Sequence, residues 1–452
     1  MLWHLKIALL ISASLSSLSY AKSLHVSKSG SDLSGNGSES KPWMTPEYGA
    51  KQLNSGDTLL IHPGTYTLSQ ENLPSDKNDM NRARALVSPP SGINGTIDSP
   101  IIIKSTGDGK VFLDAGSSPQ WAAIGTNSGD YLEIDGFSIR GAAILWSTKG
   151  AILKNCNLFG GIDTPQSNNG DNFGAVVRVE NCIDCLVQNN LLHDNQIGIT
   201  LANSPLLIEY DSTNLIIENN DIYNSVGIGI RLKDNPNQVH IRNNYIYDNY
   251  LSGIQGANQD SGFDIFIYKN IIRNNNISGG KEYGGISQLV EVIGWQIYNN
   301  TFINNKNADI RTNYSQALSD IEAWNNLHVN NNENFYSVGW FNSGASFSSQ
   351  WKYSDYNNFY GNSSWVERSN IWNTLEAFSN AVKFDSNSIS ANPNFINIAG
   401  KHSKSFQRTS YPKNGRGGEF EQVMGAYITG NETIGSNGIR KTPKSPAEPI
   451  IN

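Results

Sequence analysis

Short runs of alternating hydrophobic and polar residues recur along most of the chain, separated by turn-forming residues. Residues 227–249 give one complete example, in which two alternating runs flank a turn at residues 234–237 and the second run leads into paired asparagines. Alternation with a period of two predicts half-buried β-strands whose aliphatic side chains point inward. Aligned on the second asparagine of this phrase, the repeats fall at Asn190, Asn220, Asn244, Asn270, Asn300, Asn326 and Asn358, with Lys269 in place of the first asparagine in one of them.

The spacing of these asparagines indicates the fold. Successive positions are between 24 and 32 residues apart, as from Asn220 to Asn244 and from Asn326 to Asn358. A repeat of this length that contains several short strands predicts a β-solenoid in which each coil packs on its neighbours. Asparagine tolerates the left-handed backbone of a tight turn, and stacked amides form ladders, so we interpret these residues as structural.

The N-terminus has the pattern of a secretory signal peptide. In residues 1–21, the basic residues His4 and Lys6 precede an apolar run and a small-x-small cleavage site. The apolar run is too short to span a membrane, and no later segment approaches the necessary length. We therefore expect an exported protein that works in the periplasm, at the cell surface or outside the cell.

The remaining chain divides into one solenoid domain and a tail. A cap with a helix near residues 46–53 is expected to cover the first open coil edge, and helical spacing over residues 365–382 predicts a second helix on the last coil. Three prolines and few apolar residues near the C-terminus predict a flexible tail. The predicted segments are an N-terminal cap at about 22–68, coils at about 69–362, a C-terminal cap at about 363–430 and the tail at 431–452.

Particular phrases in the chain resemble those of a known protein class. Residues 56–61 (GDTLLI) and 63–66 (PGTY) resemble the opening of many exported right-handed parallel β-helix proteins, and residues 391–395 (ANPNF) resemble their closing segments. The organisation over roughly residues 24–430 resembles β-helix polysaccharide lyases that act on alginate, pectate or chondroitin. The expected fold is therefore all-β, a single-stranded right-handed parallel β-helix with an N-terminal helical cap and a C-terminal capping segment.

Composition and cysteine usage narrow the function. The net charge of -7 gives no basic field that would attract nucleic acid, so no nucleic-acid partner is expected. Cys156, Cys182 and Cys185 are an odd number, so at least one thiol stays unpaired. Cys182 and Cys185 have the spacing of a redox or metal pair. Because no second ligand pair completes a tetrahedral site, buried or locally paired structural cysteines are favoured.

Three columns of outward-facing side chains follow from the alternation. The first contains Arg178, Thr200, Arg231, Gln255, Ser287 and Arg311, and the second, two residues further on, contains Glu180, Ala202, Lys233 and Ala257. The third contains Lys154, Gln188, Glu218, Arg242, Tyr268, Tyr298, Trp324 and Tyr356. The aromatic residues of the third column could stack on sugar rings or lie beneath the C-terminal segment. Cover is favoured, since a long apolar stripe is seldom left bare.

The candidate chemistry lies where cations and carboxylates of the first two columns meet. The resemblance to lyases implies β-elimination on an acidic, uronate-containing polysaccharide, with Lys233 as the base. Arg231 and Arg178 would neutralise the substrate carboxylate and favour an unprotonated lysine. No cofactor is required, although calcium is an alternative means of neutralisation and would bind Glu180, Glu209 or Asp211. The expected substrate-binding residues are Thr200, Tyr210, Gln255, Arg311, Tyr268, Tyr298 and Trp324.

Two alternatives to a lyase remain open at this stage. The same face would serve a non-catalytic glycan-binding or surface protein, because fold alone does not confer an activity. An inverting glycosidase would need two carboxylates roughly 6.5–9.5 Å apart, which outward-facing Glu180, Glu209 and Asp211 leave open. In each case the expected partner is an acidic polysaccharide, and the protein is expected to be a monomer without a membrane span.

Overall fold

Strands run parallel from coil to coil in this protein, and three strands make up each complete coil. The computed structural model describes residues 21–67, 85–115, 122–160, 175–195, 204–256, 262–288, 293–312, 320–329, 333–338, 346–399, 402–410, 415–416, 423–427 and 429–436. The predicted signal peptide lies outside these residues apart from Ala21, so it stays a prediction. The predicted parallel β-helix is confirmed.

The first face of the solenoid begins with the N-terminal strand and pairs in parallel throughout. It consists of β1 (Ser23–Val26), β2 (Thr58–Ile61), β5 (Ile101–Ser105), β8 (Leu132–Asp135), β11 (Ile152–Lys154), β14 (Leu186–Gln188), β17 (Thr213–Glu218), β20 (Asn237–Arg242), β23 (Phe263–Tyr268), β26 (Gln296–Tyr298), β29 (Ile321–Trp324) and β32 (Trp351–Asp355).

The second face carries the candidate chemistry, and its strands are also parallel until a final antiparallel hairpin. It consists of β4 (Ala85–Val87), β7 (Ala122–Gly125), β10 (Ala142–Lys149), β13 (Ala175–Ile183), β16 (Ser204–Glu209), β19 (Ile230–Leu232), β22 (Ile254–Gly256), β25 (Ile286–Gln288), β28 (Ala308–Thr312), β31 (Asn334–Val338), β34 (Trp365–Glu367) and β35 (Asn370–Trp372).

The third face is an eleven-stranded parallel sheet that follows the asparagine turns. It consists of β3 (Gly64–Thr67), β6 (Val111–Asp114), β9 (Ser138–Arg140), β12 (Asn157–Phe159), β15 (Leu191–His193), β18 (Asp221–Tyr223), β21 (Tyr245–Tyr247), β24 (Ile271–Arg273), β27 (Thr301–Ile303), β30 (Leu327–Val329) and β33 (Asn358–Tyr360). Inward aliphatic side chains of all three faces form one continuous core along the solenoid.

Asparagine pairs make the turn from the first face to the third, as the sequence predicts. The first residue of a pair takes the left-handed conformation, as Asn243 does at φ 54°. The second is buried, and its amide continues a ladder: Asn244 Nδ2 donates to Asn270 Oδ1 at 3.1 Å, and Asn270 Nδ2 donates to Asn300 Oδ1 at 3.0 Å. The coils from Asn190 to Asn357 are thereby fixed in register with one another.

The last coil departs from the predicted register by one residue. A register shift between Ile321 and Glu322 pairs Trp324 with Asp355 rather than with Tyr356. Tyr356 instead takes the left-handed turn position at φ 57°. The ladder consequently continues to Asn357, whose Oδ1 accepts from the Asn326 backbone N–H at 2.9 Å. The assignments of Tyr356 to the third column and of Asn358 to the ladder were therefore wrong.

The N-terminal cap is the predicted helix, α1 (Pro46–Lys51), at the start of the solenoid. Thr45 caps it, because the Thr45 side chain accepts a hydrogen bond from the Tyr48 backbone N–H, and Pro46 occupies the first turn, where no N–H is needed. Gly49 and Ala50 are buried in this helix. A Cβ at Gly49 would come within 2.6 Å of the Val26 side chain, so close packing against β1 requires glycine there.

The C-terminal cap differs from the single predicted helix over residues 365–382. Its first part is the hairpin β34–β35, with Arg368 in the left-handed region at φ 56°, and only α3 (Leu375–Val382) is helical. Trp365 and Trp372 pair across the hairpin, and β34 extends the second face by one strand. A short helix that was not predicted, α2 (Phe347–Gln350), precedes β32.

Beyond the cap, the chain returns along the outside of the third face. Phe406, Ala426, Tyr427 and Ile434 pack against outward side chains of β21 to β30 and form a second apolar cluster there. Residues 431–436, the start of the predicted tail, lie on the solenoid, and the rest of the tail lies outside the described residues. At the end of this segment, Ser436 donates two hydrogen bonds of 3.1 Å to Asp221.

Two of the three cysteines form a disulfide, which agrees with the structural interpretation. Cys182 and Cys185 are joined across the turn between β13 and β14, and both are buried. Cys156 is free and buried at the start of the asparagine ladder, where Asn190 Oδ1 accepts from its backbone N–H at 2.9 Å. Burial raises the pKa of the Cys156 thiol to about 12, so it is not a reactive thiolate.

Candidate functional site

Strand register brings most of the predicted catalytic residues together on the second face. Arg178 on β13 pairs with Leu207 on β16, and Leu207 pairs with Arg231 on β19. Glu180 pairs with Glu209 one coil on. Leu207 and Glu209 thus occupy the places that the sequence assigned to Thr200 and Ala202. Thr200 lies outside the described residues, and Glu209 ends a strand rather than lying in the expected loop.

A chain of ion pairs links four of these side chains, Arg178, Glu180, Glu209 and Lys233, here called the charge cluster. Arg178 Nε lies 2.7 Å from Glu180 Oε1, and Arg178 Nη2 also bonds Glu209 Oε1. Lys233 Nζ lies 4.0 Å from Glu209 Oε2 and 3.1 Å from Asp234 Oδ2. The proposed base therefore sits between two carboxylates, and its charge and that of Arg178 are balanced locally.

Burial distinguishes this cluster from the exposed surface that the sequence suggested. The side chains of Glu180 and Glu209 are fully buried, those of Arg178 and Lys233 are 15% and 9% exposed, and Arg231 is 5% exposed overall. Burial lowers the pKa of the Arg178 guanidinium, but the nearby Glu180 and Glu209 carboxylates outweigh it, so the pKa is raised. Arg178 is a permanent cation that holds two buried anions.

An open depression of about 540 Å³ lies beside the charge cluster, and we call it the Trp146 depression. It spans three successive coils and is lined by Trp146, Ser147, Glu180, Asn181, Tyr210 and Asp211. Asn181, Tyr210 and Asp211 are exposed, whereas Glu180 is buried beneath its surface. Burial and the Glu209 carboxylate raise the pKa of Tyr210, so its hydroxyl stays protonated at neutral pH.

The members of the first column that follow Arg231 are also buried. Gln255 is 2% exposed and donates to Ser287 Oγ at 3.3 Å, and Arg311 is fully buried and donates to Ser337 Oγ at 3.0 Å. Burial lowers the pKa of Arg311 to about 9, against the opposing effect of Glu282. Gln255 and Arg311, both predicted to bind substrate, thus lie out of reach of solvent in this conformation.

The aromatic third column is covered, as favoured from the sequence. Tyr268 and Tyr298 stack with centroids 4.9 Å apart, Tyr298 and Trp324 stack at 4.6 Å, and both tyrosines are buried. The C-terminal segment provides the cover: the Arg416 guanidinium lies over the Trp324 ring at 5.1 Å. Trp324 is therefore in contact with this segment, and Tyr298 and Tyr268 continue the stack from it as buried rings.

Sequence reasoning missed three residues of the depression, Trp146, Ser147 and Asn181. Trp146 pairs directly with Glu180, so it belongs to the second column one coil before it. The signal was present, because β10 contains an alternating run, but that coil carries no asparagine pair on which to align it. Glu180, Tyr210 and Asp211 were identified from the sequence and do line the depression.

The expected calcium ligands do not form one group. Arg178 occupies the carboxylates of both Glu180 and Glu209, and Asp211 Oδ1 accepts from Asn235 Nδ2 at 2.6 Å. Within the described ranges, no group of three or more histidine, cysteine, aspartate or glutamate residues could hold a metal ion. Calcium at this place stays a prediction.

Fold and site together define an elongated parallel β-helix with a buried charge cluster and an open depression on one face. A family model described as "Periplasmic copper-binding protein (NosD)" matches residues 104–344, more than half of the 452 residues. The chain belongs to the NosD family. No curated protein sequence matches it. No helix in the described part of the chain is long and apolar enough to cross a membrane.

Similar solved structures include enzymes that act on carbohydrates. A pectate lyase shares 16% identity with a TM-score of 0.49, covering 72% of this chain and 79% of its own. A rhamnogalacturonan lyase shares 14% with a TM-score of 0.44, covering 90% and 100%. A lacto-N-biosidase from Eubacterium ramulus shares 11% with a TM-score of 0.44, covering 82% and 67%. Identities this low transfer no activity to this chain.

The family description names copper, so the donor atoms of the described residues bear on whether this chain holds that metal. Copper prefers imidazole and sulfur ligands, and the closest two imidazoles described are His25 and His62, with Nδ1 and Nε2 3.0 Å apart. Their ring centroids are 5.3 Å apart. Two imidazole rings whose nitrogens are in contact have their centroids this far apart only when the two nitrogens point at each other. This is the geometry of an N–H···N hydrogen bond. Two lone pairs that converged on one ion would bring the rings closer, so this pair does not fit copper.

Proposed function

We propose that the protein is an exported enzyme that cleaves a uronate-containing polysaccharide by β-elimination at the charge cluster. Support comes from the placement of Lys233 at the edge of that cluster, one coil from the open Trp146 depression. Lys233 would abstract the proton next to the uronate carboxylate, and Arg231 with Arg178 would stabilise the negative charge that develops. Tyr210, exposed and protonated, would donate a proton to the leaving oxygen.

This mechanism requires the ion pairs of Lys233 to rearrange when substrate binds. A general base must be free to reach the substrate proton, whereas Lys233 Nζ contacts Glu209 and Asp234 in this structure. A bound uronate would compete with these carboxylates for Arg178 and Lys233. The family description supports a periplasmic location.

A second candidate reaction is glycoside hydrolysis, favoured by the direct pairing of Glu180 with Glu209. Neighbouring strands are roughly 4.8 Å apart. That spacing is nearer to the roughly 5–5.5 Å between the carboxyl groups of retaining glycosidases than to the wider gap of inverting ones. The inverting reaction considered from the sequence is therefore the less suitable form of this alternative.

The test is a polysaccharide panel of alginate, polygalacturonate, chondroitin and hyaluronan, with ultraviolet absorbance of unsaturated uronate ends as the readout. Lys233→Ala should lower kcat by about 100-fold or more, the usual contribution of a general base. Lys352→Ala is the matched control, because Lys352 is 61% exposed, pairs with Glu322 and lies far along the chain. Its activity should equal that of the wild type.

Other outcomes distinguish the alternatives. Saturated reducing ends, lost in Glu209→Gln, would establish hydrolysis and reject β-elimination. Binding of the polymers without any cleavage would reject both reactions and leave a glycan-binding or surface protein.

A further inference from the structure

We propose that the Trp146 depression is a subsite for a sugar without a carboxylate, so that the polymer alternates uronate with an uncharged or amine-bearing sugar. This inference rests on the proposed function, because it takes Arg231 and the proposed base Lys233 as the place of the uronate. It adds a second subsite of different chemistry and excludes homopolymers of uronate as preferred ligands.

The walls of the depression suit a sugar ring. Trp146 and Tyr210 provide aromatic surface on coils two apart, with Ser147 and Asn181 between or beside them. The electron-rich face of an aromatic ring attracts the positively polarised C–H groups on a sugar face. Hydroxyl and amide side chains would fix the orientation of the sugar hydroxyls. A few polar groups among aromatic ones are typical of small-molecule sites.

The charges of the depression decide which sugar fits. None of its six lining residues is basic, and two of them, Glu180 and Asp211, are acidic. Arg178 is already bound by Glu180 and Glu209. A uronate here would lie beside the exposed Asp211 carboxylate, and such a contact between like charges is unfavourable. A neutral sugar could donate its hydroxyls to Asp211, and an amine would gain both a charged hydrogen bond and contact with the aromatic faces.

The two subsites are close enough for adjoining sugars of one chain. Lys233 follows β19, which pairs directly with β16, and Tyr210 and Asp211 follow β16. Successive coils are roughly 4.8 Å apart along the axis. A polymer that runs along the axis therefore passes from Arg231 and Lys233 to the depression within one or two coils.

The experiment measures binding apart from cleavage, by affinity electrophoresis at constant salt. Probes are polygalacturonate and alginate as homopolymers of uronate, and hyaluronan as an alternating polymer with an uncharged second sugar. The wild type should bind hyaluronan at least about tenfold more tightly than it binds polygalacturonate or alginate. Trp146→Ala and Tyr210→Ala should each weaken hyaluronan binding about five- to tenfold, a range typical of one aromatic contact. Tyr250→Ala is the control, since Tyr250 is 45% exposed on another coil.

A charge change gives the opposite, gain-of-function readout. Asp211→Asn fits the left-handed backbone at residue 211 and should raise the affinity for polygalacturonate about two- to fivefold, as removal of one exposed repulsive contact allows. Equal binding of both polymer classes by the wild type, or no effect of either aromatic substitution, would overturn the inference. Tyr210 is exposed, so its substitution tests the subsite even if Trp146→Ala does not fold.

The results separate this inference from the proposed function. Selective binding of hyaluronan without cleavage would reject the enzyme and retain the subsite. Cleavage that prefers the homopolymers would retain the enzyme and reject the subsite. Failure to bind any polymer would reject both.

Discussion

Arg178 shows how a single side chain determines the character of the candidate site. The sequence places it correctly two coils from Arg231, in one column. The sequence could not show which carboxylates pair with the Arg178 guanidinium, because the neighbouring residue on the next coil depends on strand register. With Glu209 beside Glu180, the guanidinium joins two buried carboxylates and becomes part of the interior.

This arrangement predicts a large loss of stability for Arg178→Met. Two fully buried carboxylates would lose their cation, and breaking a buried ion pair from one side typically costs about 3–5 kcal/mol. Arg140→Met is the matched control, because Arg140 is 43% exposed and pairs with Asp114 at 2.7 Å. The control should cost no more than about 1 kcal/mol.

Urea denaturation of both variants measures the difference in free energy of unfolding. Equal losses for the two substitutions would show that the Arg178 network contributes no more than an exposed pair. Adding Glu180→Gln and Glu209→Gln to Arg178→Met should recover part of the loss, since the uncompensated charges would then be absent.

At the scale of strands and helices, the sequence predicted where the coils turn, but it predicted the strand register correctly in only some of the coils. Asparagines identified every turn from β14 to β29, because their pairs mark a backbone conformation that few residues tolerate; in the turn after β23, Lys269 takes the place of the first asparagine. Between Asn190 and Asn220 two runs compete for one strand position, residues 198–201 and 204–209. The first has cleaner alternation, but the structure uses the second, whose residues are buried on both faces. The alternation of hydrophobic and polar residues alone does not show which of the two runs forms the strand.

The helix predicted over residues 365–382 failed for a related reason. Trp365, Val366, Ile371 and Trp372 satisfy helical spacing, but they also fit two strands around a left-handed residue. Open backbone groups on β31 favour the hairpin, because β34 completes their hydrogen bonds. The covering of the aromatic column was correctly favoured, since exposure of so much apolar surface is unfavourable.

The C-terminal segment is the element whose docking should depend on pH. Burial raises the pKa of Asp221 from 3.8 to about 6, although hydrogen bonds from Ser436 oppose this. The folded state therefore holds the Asp221 proton more tightly than the unfolded state does. Stability from this group is complete below about pH 4 and declines as the pH rises to about 6.

Asp221→Asn should remove this dependence. An asparagine oxygen still accepts from Ser436, and no charge is buried, so the variant should exceed the wild type above pH 6. The upper limit is about 3 kcal/mol, from a shift of about 2 units at about 1.4 kcal/mol each. Thermal melting of both proteins from pH 4 to 8 measures the difference.

Asp264→Asn provides the control for the pH series, because Asp264 is exposed and already left-handed. Its melting curves should follow those of the wild type. A constant difference between Asp221→Asn and the wild type at all pH values would contradict the assignment of the effect to Asp221. Gly435→Ala should undock the segment independently of pH, since Gly435 has φ 83° and a Cβ there would come within 2.2 Å of Asp221 Oδ1.

For the whole molecule, the C-terminal segment completes a surface that the solenoid leaves apolar. Tyr245, Ile271 and Leu327 point outward from the third face and are buried only by this segment and their neighbours. Deletion of residues 402–452 should therefore expose a continuous apolar stripe and cause self-association. Sedimentation velocity and binding of a hydrophobic dye measure these effects.

The full chain and the variant Asn431→Ala, which changes an exposed residue of the same segment, are the controls and should stay unassociated. A truncated protein that remains of one size and binds no dye would show that the stripe tolerates solvent. The function of the whole molecule is less predictable than its fold, because the repeat that defines the coils is shared by most of them, whereas the candidate site consists of a few side chains on neighbouring coils.

The asparagine ladder limits how such a molecule can change its length. Each member accepts from the coil before it and donates to the coil after it, as Asn244 does between Asn220 and Asn270. A duplicated coil would bring its own donor and acceptor and leave the series intact, whereas an insertion of a few residues within these turns would break it. The series ends at Asn357, whose Nδ2 donates to Asp385 Oδ1 and whose backbone N–H donates to Ser388 Oγ. The cap thus provides the acceptors that a further coil would provide. Addition of whole coils therefore lengthens the solenoid, and the face that carries the charge cluster, without a change to either end.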